Sequence, residues 1–347
     1  MANNELRPDV PSRKKFFYPV NDELKDYLVK YNRYHKLAVQ YSDMLRFQQS
    51  VPLRDKDGNE THWQTVYYDD AEMRELFPNL TALYALMNAS GFPEVVEQLK
   101  IKQIDYCSFG NSKPFRVRVI NKLNDNYDHF YVKIADASRV YGLELEHLLS
   151  PNRIGYLTDG NTIIEDHIIG VPGDIFIRDR LATSKFNQVR ICKEFVKFNE
   201  RCFIRLLGDM RSYNFVAHIT PDIEGSQYRI RAIDFDQQSY EGRRQFYMPQ
   251  FFKENNSLVA LGMKHMDKFA MRQYQEEERS LINNRTKLIH IRLVDMLSCM
   301  KSDEISPQAK VEQLGADLAE FHNKPIFKTC KTMGELVIEQ LSAYTFL

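Results

Sequence analysis

The 347-residue sequence has few cysteines, no excess of either charge and no long apolar run. Its five cysteines lie far apart without a C-x-x-C pair, which argues against a disulfide framework or a structural zinc site. The 47 Lys and Arg residues equal the 47 Asp and Glu residues in number, so the charge signature of a nucleic-acid or membrane-surface protein is missing. No apolar run approaches the roughly 20 residues of a membrane helix, and segment 1–15 lacks a secretory core. These absences predict a cytoplasmic protein with reduced thiols and no nucleic-acid or membrane partner.

The periodicity of apolar residues divides the chain into three parts. Three- and four-residue spacings from Asp22, and again over 70–90, predict a mainly helical N-terminal extension at 1–95. A short extended run is expected within it at 61–68. From Lys100 the period is two, which predicts five strands and one helix within 96–170. The strands are expected at 104–109, 115–120, 130–135, 154–157 and 162–169, and the helix at 138–149. Residues 171–347 are predicted to be helical apart from one hairpin, so the fold class is α+β.

Residues 208–214, Gly-Asp-Met-Arg-Ser-Tyr-Asn, carry the strongest signal for chemistry. Gly208 allows a tight turn before Asp209, which can orient or accept the proton of an attacking hydroxyl. Asn214 can offer a neutral oxygen to magnesium. Taken separately, Asp209 also suits a turn or a helix cap, and Asn214 suits the close of a turn.

Two acidic residues follow the next apolar strand. Asp234 and Asp236 are two residues apart, so in an extended chain their carboxylates point to the same side. Burial of an unpaired carboxylate costs on the order of several kcal/mol, and a divalent cation is a common partner. The sequence therefore predicts a magnesium site at Asn214, Asp234 and Asp236. The alternatives are an acidic turn that is solvated or paired with Arg229 or Arg231, and the Asp-x-Asp of a metal-dependent glycosyltransferase.

Lys133 favours phosphoryl transfer over glycosyl transfer. It stands among apolar residues in 130–135, and its side chain is predicted to lie on the opposite sheet face from theirs. On a nucleotide-binding face its ammonium would meet phosphates, held by Glu144 or Glu146 of the following helix. Glu144 has the better relation to the apolar face of that helix. The alternative is an edge-strand lysine that faces water.

These residues, in this order, resemble the protein-kinase-like superfamily, and within it the aminoglycoside, choline and fructosamine kinases, which act on small molecules. The resemblance covers residues 100–240 by motif. It implies a bilobal fold with a five-stranded antiparallel N-lobe sheet, one N-lobe helix and a helical C-lobe, and it implies ATP and Mg²⁺ as cofactors.

Roles for individual residues follow from the resemblance. It implies that Lys133 contacts the α- and β-phosphates with Glu144 or Glu146 as its partner, that Asp209 is the catalytic base, and that Asn214 and Asp234 bind magnesium. It also implies an inter-lobe hinge at 163–168, where the backbone would contact adenine at Glu165, Asp166 and His167.

The sequence departs from the pattern of protein kinases at four places. Leu207 stands where a His is common, the turn at 109–112 lacks G-x-G-x-x-G, Asp236 replaces the Gly of D-F-G, and there is no A-P-E segment. These departures argue against a protein kinase with a regulated activation loop. The sequence thus predicts an ATP- and Mg²⁺-dependent kinase for a small-molecule hydroxyl, with a protein hydroxyl as the second choice.

Two functions other than phosphate transfer are also compatible with these residues. One is a catalytically weak kinase-like binding scaffold, and the other is a transferase that moves AMP. The aromatic-rich extension is a predicted docking surface for a protein partner, through Tyr27, Tyr31, Tyr34 and Tyr41.

Overall fold

A computed structural model describes residues 15–55, 57–89, 96–181, 186–223 and 225–347. The chain divides into two compact units. Unit 1 contains Leu28–Asp136 and Gly155–His167 with the N-terminal segment up to Val20, and unit 2 contains Asn21–Tyr27, Ala137–Ile154 and Ile168–Leu347. The predicted division at residues 95 and 170 stays a prediction. Among the helices described, none has the length and apolar character needed to cross a membrane.

Unit 1 is built on a seven-stranded antiparallel sheet with the strand order β1-β2-β3-β4-β5-β7-β6. The strands are β1 (Gln49–Arg54), β2 (Glu60–Tyr67), β3 (Leu99–Cys107), β4 (Phe115–Asn121), β5 (Tyr127–Ile134), β6 (Tyr156–Asp159) and β7 (Thr162–Asp166). Alternate residues of β4, namely Phe115, Val117 and Val119, are buried in one apolar core, as a period of two requires. The same core takes in residues of α3 (Asp70–Ala89).

The period of two predicts β3 to β7 correctly, and the structure confirms these strands. The count of five strands within 96–170 is confirmed. The five-stranded sheet that the resemblance implies is wrong, because β1 and β2 join the same sheet. Thr65 of β2 lies in register with Asp105 of β3. This pairing satisfies backbone groups that the edge of β3 would otherwise leave unpaired. The region predicted as a helical extension therefore supplies two strands, besides the helices α1 (Asp22–Lys30), α2 (Tyr41–Met44) and α3.

Tyrosines that were predicted to dock a partner mostly serve the fold. Tyr27 and Tyr41 are buried. The hydroxyl of Tyr27 donates to Glu144 at 2.7 Å, and that of Tyr41 donates to the carbonyl of Lys113 at 2.8 Å. The hydroxyl of Tyr34 donates to Asp159 at 2.8 Å. Tyr31 is half-buried. Docking of a protein partner through these tyrosines stays a prediction.

Unit 2 is mostly helical and carries a three-stranded antiparallel sheet in the order β10-β9-β8. The strands are β8 (Val171–Pro172), β9 (Phe215–Asp222) and β10 (Gly225–Ala232), and β9-β10 is the predicted hairpin. The helices are α4 (Ala137–Leu149), α5 (Gly173–Ile175), α6 (Gln188–Arg205), α7 (Asn256–His265), α8 (Lys268–Leu288), α9 (His290–Ser302), α10 (Gln308–His322) and α11 (Met333–Ser342). The helical pattern predicted at 257–300 is thus three helices.

Helix α6 determines where the 208–214 segment lies. The Asn187 side chain accepts from the amide of Arg190 and caps the helix N-terminus. Apolar residues at three- and four-residue spacings, Ile191, Phe195, Phe198 and Cys202, are buried along one face. The helix ends at Arg205, and the next residue turns the chain into the candidate loop.

Candidate active site

The candidate loop, residues 206–214, begins with a sharp backbone reversal. Leu206 has a left-handed φ of 52°, and its amide bonds the carbonyls of Cys202 and Phe203, which ends α6. Asp209 also has a left-handed φ, 58°. For a residue with a side chain this conformation costs ~1–3 kcal/mol, and such strain clusters at functional sites. The loop therefore holds Asp209 in a backbone conformation that its surroundings must support.

Hydrogen bonds supply that support. The Asp209 amide donates to the carbonyl of Phe246 at 3.0 Å. The Asn214 side chain donates to the Asp209 carbonyl at 2.7 Å, and the buried Asn255 side chain donates to the Met210 carbonyl at 2.9 Å. Asn214 is therefore a clamp on the loop as well as a predicted metal ligand.

The start of α5 packs directly against this loop at Gly173. A Cβ atom at Gly173 would meet the Phe215 ring at 2.3 Å and the Ser212 carbonyl oxygen at 2.4 Å. We expect Gly173→Ala to lower the free energy of unfolding by about 1–3 kcal/mol, the range for overpacking. Gly262→Ala is the matched control, because its nearest contact is the flexible Met266 side chain at 3.6 Å. Urea unfolding of both variants checks this, and equal stability of the two would contradict it.

The Asp209 carboxylate lies in a short chain of charges. The Arg211 Nε donates to Asp209 Oδ1 at 2.8 Å, and its Nη1 donates to Glu254 Oε1 at 2.8 Å. The same guanidinium lies over the Phe252 ring, 5.0 Å from its centroid. Arg211 is thereby fixed beside Asp209.

Burial raises the pKa of Asp209 to about 6, and Arg211 opposes this while Asp234 and Glu254 add to it. A carboxylate with a pKa near 6 is mostly ionised at neutral pH and is a stronger base than an ordinary Asp. Asp209 therefore has the properties of a general base.

The raised pKa of Asp209 predicts a pH dependence of stability. The folded state binds the proton more tightly than the unfolded chain, where the Asp pKa is about 3.9. The ionised carboxylate therefore lowers the stability above about pH 6, and this loss disappears as the pH falls toward about 4. We expect the difference in unfolding free energy, wild type minus Asp209→Asn, to increase as the pH is lowered from 7 to 5. Urea unfolding at several pH values measures it, and a constant difference would contradict the assignment.

Asp234 and Asp236 follow the end of β10 and share one arginine. Arg139, almost fully buried in α4, donates through Nη2 to Asp234 Oδ1 at 2.8 Å and through Nε to Asp236 Oδ1 at 2.8 Å. Helix α4, which carries Arg139, packs closely against the acidic turn. At Gly142 of this helix an added Cβ would lie only 3.0 Å from Phe235. The structure thus shows an arginine-paired turn, with Arg139 in place of the sequence neighbours that were considered.

The two carboxylates differ in their fit to magnesium. The Asp234 side chain is 34% exposed and that of Asp236 only 9%. The amide of Ile233 donates to the Asn214 carbonyl at 3.0 Å, which brings the strand end and the candidate loop together. Asn214 and Asp234 therefore fit a magnesium ion whose other ligands are phosphate and water oxygens. Asp236 fits less well, because its side chain is nearly buried. The Oδ1 atom of each carboxylate already accepts two hydrogen bonds.

We also looked for a metal site whose ligands are all protein side chains. Within the described ranges, no group of three or more His, Cys, Asp and Glu side chains is arranged to hold a metal ion. The predicted site at Asn214, Asp234 and Asp236 contains only two such residues and stays a prediction.

Comparison with known proteins adds no relative. No protein-family model matches the chain. No curated protein is significantly similar to it in sequence. The resemblance to small-molecule kinases therefore rests on the motif residues, and the argument for function rests on their geometry.

Lys133 belongs to unit 1, where it pairs with Glu165, one of the residues predicted to contact adenine. The buried ammonium lies 2.7 Å from Glu165 Oε2, on the neighbouring strand β7. Lys133 is in register with Ile163, so Glu165 lies two residues further along the same sheet face. That register was the signal that could have suggested the pair.

The predicted lysine partners lie in α4 of unit 2. Glu144 accepts from Arg292 Nη2 at 2.9 Å and from the Tyr27 hydroxyl at 2.7 Å. Glu146 accepts from the Arg205 guanidinium. The pairing of Lys133 with Glu144 or Glu146 stays a prediction.

The residues predicted as the adenine hinge lie at the end of unit 1. The Asp166 carboxylate accepts from the Gly155 amide at 3.0 Å, and burial raises its pKa to about 6. His167 Nδ1 lies 3.1 Å from the Tyr131 hydroxyl, and burial lowers the pKa of His167. The chain passes into unit 2 directly after His167. Backbone contact of Glu165, Asp166 and His167 with adenine stays a prediction.

Proposed function

We propose that the protein is an ATP- and magnesium-dependent phosphotransferase with a bilobal protein-kinase-like fold, acting on a hydroxyl of a small molecule. One observation carries the proposal: a mostly buried Asp209 with a raised pKa is held in a left-handed conformation by a clamped loop. Such an arrangement is costly to stability and suits a general base. The acidic Asp234 beside it supports the choice of phosphoryl transfer.

In the proposed reaction, Asp209 accepts the proton of the acceptor hydroxyl. The oxygen forms a bond to the γ-phosphorus, the bond from that phosphorus to the β–γ bridging oxygen breaks, and ADP leaves. Arg211 keeps the Asp209 carboxylate oriented through its Nε. Lys133 would contact the α- and β-phosphates. Asn214 and Asp234 would hold the magnesium, which offsets phosphate charge when bound.

The contact of Arg211 with Asp209 also favours a second candidate, the weak or inactive scaffold. The guanidinium bonds Asp209 Oδ1 at 2.8 Å and offsets its charge. A base that stays paired in this way would accept a proton poorly. A transferase that moves AMP would instead break the bond at the α-phosphorus of ATP and release pyrophosphate. A kinase releases ADP and an inactive scaffold releases neither, so the products distinguish the three functions.

The test is to incubate the protein with Mg²⁺ and ATP and with separate pools of sugars and polyols, amino alcohols, and nucleosides. ADP and a phosphorylated acceptor in one pool would support the proposal. Pyrophosphate release would instead indicate AMP transfer. ATP binding without either product would favour the scaffold. Asp209→Asn serves as the matched inactive control in each pool.

A further inference from the structure

Unit 2 carries a second group of charged residues outside the candidate loop. We call Arg153, Arg229, Arg231 and Arg285 the arginine cluster. Arg229 and Arg231 are two residues apart on β10, so their side chains share one face of the strand. Arg231 Nη2 donates to the carbonyl of Arg153 at 3.2 Å.

Helix α8 brings the fourth arginine to the same place. Arg285 Nη1 donates to the carbonyl of Ser150 at 2.8 Å. Ser150 and Arg153 both belong to the short segment that follows α4. Two guanidiniums from different elements therefore converge on this segment, with Arg153 itself part of it.

The nearby carboxylates already have arginine partners of their own. Glu146 pairs with Arg205, and Glu278 lies 3.4 Å from Arg201. Across the residues that the structure describes, no ion pair joins a carboxylate to any member of the arginine cluster. Glu146 and Glu278 offset part of the charge of Arg231 and Arg285. With four guanidiniums and two such carboxylates, an excess of positive charge remains.

Burial makes this excess costly. The Arg231 Nε is buried and has no hydrogen-bond partner among the described residues. An unsatisfied buried donor on a charged group is destabilising unless something accepts its bond. The pKa of Arg231 is lowered by burial and by Arg229. The pKa of Arg285 is also lowered, by burial first and then by Arg201, Arg229 and Arg153, against the opposing charge of Glu278. These directions agree with like charges held close together.

We propose that the arginine cluster binds a small polyphosphate anion. Guanidinium groups present paired donors that match phosphate oxygens, and such charge-assisted bonds are stronger than those between neutral groups. Several guanidiniums without carboxylates suit a ligand that carries several negative charges. The half-buried Arg231 and Arg285 would bind its inner phosphate, and the exposed Arg153 and Arg229 would bind the outer one. None of the four arginines is among the residues proposed for phosphoryl transfer.

The experiment is calorimetric titration of the full chain with inorganic tripolyphosphate at a constant ionic strength of about 0.15 M, so that general screening does not change. We expect Arg229→Gln/Arg231→Gln to weaken binding about tenfold or more, because charge-assisted bonds to phosphate are lost. The control Arg178→Gln/Arg272→Gln removes two arginines of unit 2 that pair with Asp179 and Glu276. It should bind as wild type does.

A second variant and a second measurement cover a failure to fold. Arg153 and Arg229 are exposed, so Arg153→Gln/Arg229→Gln should leave the core intact and still weaken binding. In phosphate-free buffer Arg229→Gln should keep or raise the melting temperature, because it removes repulsion, whereas a purely structural role would lower it. Absence of tripolyphosphate binding to wild type, or unchanged binding by the cluster variants, would overturn the proposal. Cluster-dependent binding of a single-stranded oligonucleotide but not of tripolyphosphate would also overturn it.

Discussion

Asp209→Asn is expected to lower the rate of phosphate transfer by about 10²- to 10⁴-fold, the usual contribution of a general base. The amide keeps the shape of the side chain but cannot accept the hydroxyl proton. Binding of Mg²⁺ and ATP should be retained, since the proposal gives Asp209 no contact with the phosphates. The measurement is the initial rate of ADP formation with the acceptor pool that wild type uses.

The control for this variant is Asp222→Asn. Asp222 lies on β9, and its carboxylate accepts from the Ile223 amide at 2.8 Å, outside the candidate loop. It should transfer phosphate at the wild-type rate. An Asp209→Asn enzyme that is as fast as Asp222→Asn would remove the base assignment.

Arg139→Met is expected to destabilise the fold by about 3–5 kcal/mol, the range for removing one partner of a buried ion pair. The methionine would leave Asp236, with a side chain only 9% exposed, without the guanidinium that now bonds its Oδ1. Asp234 would lose a contact as well. Urea unfolding at neutral pH measures the change.

Arg272→Met is the matched control for that loss. Arg272 and Glu276 form an ion pair on the surface of α8, with side chains 78% and 58% exposed. Exposed pairs contribute about 0–1 kcal/mol, so this variant should stay near wild type. Equal stability of the two variants would mean that Arg139 does not hold the acidic turn.

Local patterns predicted the strands of unit 1 well and their number poorly. The alternation in 115–121 reports one buried face directly, so β4 can be predicted from the sequence alone. In β5 the apolar Phe130 and Val132 show the strand, although Lys133 is buried on the opposite face. By contrast, β1 has almost no buried residue, and its burial pattern does not alternate. Such a strand forms because its neighbour offers a free edge, and that depends on tertiary pairing rather than on its own residues.

The candidate loop was predictable because its residues lie close together in sequence. Asp209, Arg211 and Asn214 interact within five residues of one another. Arg139 was not predictable, because it reaches Asp236 across a separation of 97 residues. To predict the partner of Lys133 one must know the register of β5 with β7. A helix and the strand β6 separate these two strands in the sequence, and the periodicity of apolar residues does not determine the register of strands so far apart.

The central claim is that the candidate loop and Asp234 belong to a magnesium nucleotide site. The most direct test is thermal unfolding of wild type, Asp234→Asn and Asp222→Asn with and without Mg²⁺ and ATP. Ligand at about 100 times its dissociation constant stabilises a protein by roughly 2.7 kcal/mol, a clear rise in melting temperature. The account predicts a magnesium-dependent rise for wild type and Asp222→Asn that is lost in Asp234→Asn. No rise in wild type, or the same rise in all three proteins, would contradict it.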